Sequence, residues 1–271
     1  MSLVLLVAIG LVLNGTASVL ALWRRSVDAG GAVAGAVVGT AIFAAGGPLF
    51  WVILMSFFLS STALGSIRRN DKRWLDAIHQ KGDRRDFVQV LANGGIGIAA
   101  AVLFRITGNP AWAAGFAVSF ASSNADTWSS EIGVLSRSDP VSLAGFRPVP
   151  RGVSGGVSVL GCLMALAGAA FIAVIFAAED LSLRILPGGF LACFVFITAG
   201  GFAGSIVDSL LGATAQAQYV SQGRATEKSH GKDGTPNRLS RGLPFVTNDV
   251  VNLASCAAVT VAAVLLAPVL L

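Results

Sequence analysis

Long unbroken apolar runs constrain this chain more than any other feature. Eight of them recur, over about residues 3–22, 30–46, 48–65, 88–106, 111–130, 156–178, 186–216 and 245–269. Each lies near the roughly 20 residues that a bilayer's hydrocarbon core requires. Of 271 residues, 54% are hydrophobic and 12% charged, and the mean hydropathy is +0.75. A soluble domain carries about 25% charged residues. The expected fold is an all-α polytopic membrane helix bundle, a single integral membrane domain over residues 1–271. The second run is short and rich in glycine (Gly30, Gly31, Gly35, Gly39), so seven spans are the alternative to eight.

The connections alternate in charge. Arg24 and Arg25 follow the first run, and Arg68, Arg69, Lys72, Arg73, Lys81, Arg84 and Arg85 follow the third. Arg137, Arg147 and Arg151 follow the fifth; Arg224, Lys228, Lys232, Arg238 and Arg241 follow the seventh. The connections between these are tiny or mildly acidic. By the positive-inside rule the basic loops, including about 66–87, 133–155 and 217–244, are cytoplasmic and both termini are outside. The first run lacks a basic leader and is read as a retained span. The net charge of +5 sits in these short loops, which suits topology and anionic lipid or nucleotide rather than nucleic acid. Cys162, Cys193 and Cys256 lie inside apolar runs without metal-ligand spacing. The two histidines, His79 and His230, lie in loops, so a Ser-His-Asp hydrolase is hard to build.

Polarity rises abruptly at Ser122-Ser123-Asn124-Ala125-Asp126-Thr127-Trp128-Ser129-Ser130-Glu131-Ile132-Gly133. An ionisable group at membrane depth is costly unless it faces a bundle interior and finds a partner. Other polar groups fall in the same half of the membrane: Gln89 and Asn93, Asp208, Ser209 and Gln216, and Asn248, Asp249 and Asn252. Random scatter would place some near the outer ends. Asn248, Asn252 and Ser255 share a helical face, as do Gly201, Ser205, Asp208 and Gly212, and Asn124, Thr127 and Glu131. Asp126 lies about 140° round from Glu131, so either the helix breaks or the two carboxylates serve different partners. Carboxylate and amide oxygens without His or Cys suit Mg²⁺ beside substrate phosphates; interhelical hydrogen bonding is the structural alternative.

The stretch Gly145-Phe146-Arg147-Pro148-Val149-Pro150-Arg151-Gly152-Val153-Ser154-Gly155-Gly156-Val157-Ser158 runs into the sixth span. Glycines before a helix N-terminus let backbone N–H groups close on an anion, and Arg147 and Arg151 can clamp phosphate oxygens. It is no Walker loop, since no Gly-Lys-Ser/Thr follows. Ser221–Gly242 has the composition of a flexible linker but could also order over a ligand.

Together these motifs resemble the family of plant and cyanobacterial phytyl-phosphate kinase, which includes animal transmembrane protein 19. The matching stretches are 123–133, Gly152 to Ser158, Gly204 to Ala213 with Asp208 and Ser209, and Asn248 to Asn252. The family usually has Thr where Val153 stands, and His230-Gly231 and Thr235 correspond to its loop before the last span. The resemblance implies a membrane-embedded kinase that converts phytyl or geranylgeranyl monophosphate to the diphosphate, as in tocopherol or quinone biosynthesis, with a nucleoside triphosphate, CTP favoured, as donor. It implies Asp126, Glu131 and Asp208 as catalytic residues holding Mg²⁺. Asn124, Asn248 and Asn252 would orient metal water or phosphate, and Arg147, Arg151, Ser154, Gly155, Gly156, Ser209 and His230 would contact donor phosphates. Asn93 and the arginines before the fourth span would hold the headgroup, with the isoprenoid tail in a groove open to lipid. The expected setting is the bacterial inner membrane with the site facing the cytoplasm; a homo-oligomer is compatible. The competing readings are a prenol kinase or other CTP-dependent lipid transferase, and, in another class, an ion-coupled transporter.

Overall fold

The computed structural model describes residues 2–67, 74–75, 78–82, 84–231 and 233–271. Arg68, Arg69, Lys72, Arg73 and Lys232 of the basic loops lie outside the described residues. Among the described residues the chain forms α1 (Leu3–Trp23), α2 (Ala29–Ser66), α3 (Phe87–Thr107), α4 (Pro110–Gly133), α5 (Val159–Leu183), α6 (Gly189–Thr214) and α7 (Asn248–Leu270). Most starts are written in the sequence. Ser2, Asp28, Asn109, Ser158 and Thr247 each turn a side-chain oxygen onto an orphan N–H of the following helix. Asp86 and Gln89 form a reciprocal capping box at α3, and Gly108 ends that helix in the left-handed conformation. By length and composition, 6 of the helices can cross a membrane.

α2 is 38 residues long and, if straight, would extend about 57 Å, nearly twice the hydrocarbon core. It folds back instead. Gly47 leaves helical geometry (φ 72°, ψ −160°), and Pro48 follows without an N–H to donate. Asn14 of α1 therefore meets both arms: it packs on Gly39 and accepts from Trp51 Nε1 at 3.0 Å. Likewise Arg85 meets Gly31 on one arm and the Phe57 ring on the other. The Gly46-Gly47-Pro48 break expected between two runs is thus a hairpin turn within α2.

α4 is the buried axis of the bundle: its residues from Ala113 through Ala125 are all inaccessible. This explains why α4 is the least apolar helix. It faces protein, not lipid, and can carry Ser119, Ser122, Ser123 and Asn124. Phe50 stacks on Phe116 at 4.0 Å, with Phe104 and Phe120 beside them. Small residues let neighbouring backbones close in where lipid gives no hydrophobic drive: Gly168 packs on Asn124, Gly201 on Ala121 and Gly204 on Ser122.

Val27 pairs with Arg85, Gly133 packs on Gly161, and Gly155 packs on Ala213. The connections after α1, α2, α4 and α6 therefore gather at one end. The opposite end holds the Gly47 turn, beside which Leu6 packs on Phe43 and Ala44, and Leu271 against Gly188. There Asp180 accepts the N–H groups of Ile185 and Leu186 at 2.9 and 3.1 Å, fixing the turn from α5 to α6. At the gathered end β1 (Val141–Ser142) pairs antiparallel with β2 (Gly156–Val157). β3 (Gln218–Ser221), β4 (Arg224–Thr226) and β5 (Arg238–Arg241) form a sheet in the order β4-β3-β5. The described part of Ser221–Gly242 is thus ordered, and it packs back on the 78–80 turn through Glu227 N to the Ile78 carbonyl at 2.8 Å.

Candidate functional site

The gathered connections and the ends of α3, α4, α6 and α7 enclose a cavity of about 370 Å³. Its floor is set by two acids from different helices. Asp126 of α4 and Asp208 of α6 bring their carboxyls into hydrogen-bonding contact. Ser255 of α7 donates to Asp208 Oδ2 at 3.0 Å. The Asn252 amide, oriented with its nitrogen inward, donates to the same oxygen at 3.0 Å and to the Asn248 carbonyl at 3.2 Å. The face shared by Asn248, Asn252 and Ser255 is the one presented to Asp208. Gly201, Gly204, Ser205 and Gly212 on α6 are buried around it, so the acid is carried between close-packed backbones.

Glu131 does not join this pair. α4 stays helical through Gly133, so the rotation between Asp126 and Glu131 carries Glu131 toward Gly65 and the charge of Arg85. The two carboxylates serve different partners. Among the described residues no group of 3 or more His, Cys, Asp or Glu side chains converges as a metal cage. The expected three-carboxylate set of Asp126, Glu131 and Asp208 is corrected to a two-carboxylate contact, with Glu131 elsewhere on the wall. A pair of carboxylates in contact repels unless a proton or a cation lies between them. Mg²⁺ commonly uses one or two carboxylates and completes its shell with water and substrate phosphate, so the Asp126–Asp208 pair fits that ion.

The glycine loop forms one wall. Gly152 and Gly155 adopt φ of 79° and 80°. A Cβ on Gly155 would overlap the Ala213 backbone, so only glycine seats the loop against α6. Ser154 donates to Glu227 at 2.6 Å, and Gln216 donates to Ser154 Oγ and Glu227 at 3.0 and 2.9 Å. Arg241 clamps the loop from behind, donating to the Ser154 and Gly212 carbonyls at 3.2 and 3.0 Å. Arg151 lines the cavity while donating to the Arg137 carbonyl at 2.6 Å.

The opposite wall is basic. Lys81 bonds Asp249, and Asp86 at 2.7 Å. Partial burial disfavours its ammonium, but the hydrogen bonds to Asp249 and Asp86 outweigh this and raise the pKa above its ordinary value. Burial likewise disfavours the Asp86 carboxylate, and Lys81 more than offsets this, leaving its pKa lowered. Arg85 stacks on the Phe57 and Phe58 rings at 5.5 and 5.6 Å. Burial lowers its guanidinium below the usual arginine value, opposed by the charge of Glu131.

Of the residues expected at a site, Asp126, Glu131, Asp208, Asn93, Arg151 and Ser154 line this cavity, with Gly155, Gly156, Ser209, Asn248 and Asn252. Asn124, Arg147 and His230 do not. Asn124 accepts from Ser60 at 3.0 Å and donates to the Gly168 carbonyl at 2.8 Å, tying three helices together. Arg147 is exposed in the turn after β1, and His230 sits at an exposed bridge to Pro236. Glu227, His79 and Gln80 line the cavity without any signal in spacing or motif. Lys81 was visible only as part of a basic loop, whereas Asp249 was among the polar groups expected at the start of the last span.

A model of the family described as integral membrane protein DUF92 matches residues 12–260. The chain belongs to that family. This is the phytyl-phosphate kinase and transmembrane protein 19 family anticipated from the motifs. The DUF92 chain is similar to Protein PGR of Arabidopsis thaliana, 33% identical over 258 residues that cover 86% of each protein. It is similar to an uncharacterized membrane protein of Methanocaldococcus jannaschii, 30% identical over 190 residues covering 70% of this chain and 74% of that one. It also resembles Protein VTE6, chloroplastic, of Arabidopsis thaliana at 24% identity over 244 residues, 88% of this chain and 65% of that protein. No solved structure matches this DUF92 chain. It is an integral membrane protein.

Proposed function

We propose that this DUF92 protein is a membrane-embedded phosphotransferase that passes the terminal phosphoryl group of a nucleoside triphosphate to an isoprenoid monophosphate. One observation carries the reading. Asp126, Glu131, Asp208, Glu227 and Asp249 line the cavity against Lys81, Arg85 and Arg151. A phosphate-bearing ligand is repelled by the Asp126–Asp208 contact unless a divalent cation accompanies it, and that contact is where such an ion would be held. Mg²⁺ there would neutralise charge on the transferred group. CTP as the donor and the bacterial inner membrane rest on the resemblance alone, and the cytoplasmic side of the site rests on the charge of its loops.

The chemistry asks little general-base help. A lipid monophosphate has a second pKa of about 6 and is largely dianionic at neutrality. One of its oxygens attacks the terminal phosphorus of the donor; the bond from that phosphorus to the bridging oxygen breaks, and the nucleoside diphosphate leaves with the electron pair. The protein's part is positioning and charge stabilisation. The Ser154–Gly156 loop, held by Glu227, Gln216 and Arg241, offers a wall for donor phosphates. Arg85 and Asn93 lie where the acceptor phosphate would be held. Asn252 and Ser255 fix the orientation of Asp208.

The test is purified protein with Mg²⁺ and terminally labelled CTP or ATP, offered geranylgeranyl monophosphate and geranylgeraniol in parallel. The expected result is labelled diphosphate from the monophosphate. Label transfer to the alcohol alone would replace this reading with a prenol kinase, and no transfer to either would end it.

A further inference from the structure

The polar cavity does not stop at Arg85. A second, apolar groove of about 80 Å³ opens there between α1, both arms of α2, and α3, and shares Phe57, Arg85, Gln89 and Asn93 with the cavity. Away from that junction it is walled by small or flexible groups: Ala17 and Ser18 of α1, Gly35 and Val38 of the first α2 arm, and Leu54 and Met55 of the second. Arg85 is the single charged side chain among its described lining residues. Its far end is Asn14, whose amide is engaged with the Gly10 carbonyl at 2.9 Å and Trp51 Nε1 at 3.0 Å. A polar group so satisfied makes no demand on what lies against it. From Ala21 to Asn14, α1 rises about 10 Å into the bilayer.

We propose that this groove between α1, α2 and α3 binds the hydrocarbon tail of an isoprenoid monophosphate, with its phosphate at Arg85 facing the cavity. This rests on the kinase reading of the cavity and adds the path of the lipid. Three features favour an anionic lipid with a branched chain. The Arg85 guanidinium, which also feels the charge of Glu131 on the cavity side, sits where tail and head must part and gives charge complementarity with a phosphate. The groove is continuous with the polar cavity, so a bound phosphate would enter the same cavity that holds the Asp126–Asp208 pair. The wall combines the small Ala17 and Gly35 with the adaptable Met55, which accommodates methyl branches better than rigid bulky side chains would.

The test uses the full chain in nanodiscs with a geranylgeranyl monophosphate analogue that carries a photoreactive diazirine on its tail. Crosslinks are mapped by peptide mass spectrometry. The expected result is labelling within α1, α2 or α3, displaced by unlabelled geranylgeranyl monophosphate. Labelling confined to other helices overturns the proposal, as does labelling here that phosphatidate displaces and geranylgeranyl monophosphate does not. Ala17→Trp and, separately, Gly35→Leu fill the groove. Each folded variant should lower the preference for geranylgeranyl over dimethylallyl monophosphate, as a ratio of kcat/KM, by about tenfold or more; an unchanged ratio in both overturns the proposal. If the wild type labels as expected yet phosphorylates no prenyl phosphate, the kinase reading falls and the groove assignment stands.

Discussion

Lys81 and Glu227 show how single side chains assemble a site from distant loops. The Lys81 ammonium, bonded to Asp249 and Asp86, has its pKa raised above the ordinary 10.5 despite partial burial. These bonds therefore contribute in full below pH 10.5 and are lost as pH climbs through the higher folded value. Stability should fall on alkaline titration above that point, and Lys81→Gln should flatten this part of the profile, measured by thermal unfolding in detergent. A matching loss in the variant would show that Lys81 does not carry it. Glu227 accepts from Ser154, Gln216 and the Gln80 N–H. Glu227→Ala strands these donors and should destabilise the protein by about 1–3 kcal/mol. Glu227→Gln keeps an acceptor and should lose clearly less; equal losses would deny the carboxylate its bracing role. Neither residue stands out in the sequence. Gln80 lies 147 positions from Glu227, and Asp249 lies 168 from Lys81, beyond any helical or motif spacing.

At the scale of elements, caps and glycines decide the outcome. Apolar runs made the helices legible, and Gly46-Gly47-Pro48 marked the α2 turn. The small β-pairs were not legible: β1 and β2 have 2 residues each and are set by the loop's contact with α6, not by alternation. Nor was the role of Asn124, because a buried amide that ties helices has the same sequence signature as one that meets phosphate. Two glycines permit direct checks. Gly47 sits at φ 72° and ψ −160°, a region nearly closed to other residues. Gly47→Ala should lower stability by about 1–3 kcal/mol, read from thermal unfolding. Gly155→Ala should unseat the loop from α6 and lower phosphoryl transfer by about tenfold or more, since small misplacements are costly to positioning catalysis. Gly145→Ala is the control, since a Cβ there meets nothing within 4 Å. Equal activity in the two variants would detach the loop's seating from function.

For the whole molecule, alternation of helix direction is what brings four connections, and the helix ends they join, to one pole. The shared depth of Asp126, Asp208, Asn93 and Asn252 was readable from the sequence because each lay in the same half of its run. Which side chains touch was not, since rotation about each helix axis is set by packing around α4. Glu131 shows the difference: correct in depth, it points away from the Asp126–Asp208 pair. The acid pair is the centre of the account, and turnover of its variants tests it most directly. Asp126→Asn and Asp208→Asn preserve volume and hydrogen bonding while removing charge. Each should fold as the wild type does, yet lose Mg²⁺-dependent transfer from nucleoside triphosphate to geranylgeranyl monophosphate by about a hundredfold or more. Folded variants that retain wild-type turnover would contradict it.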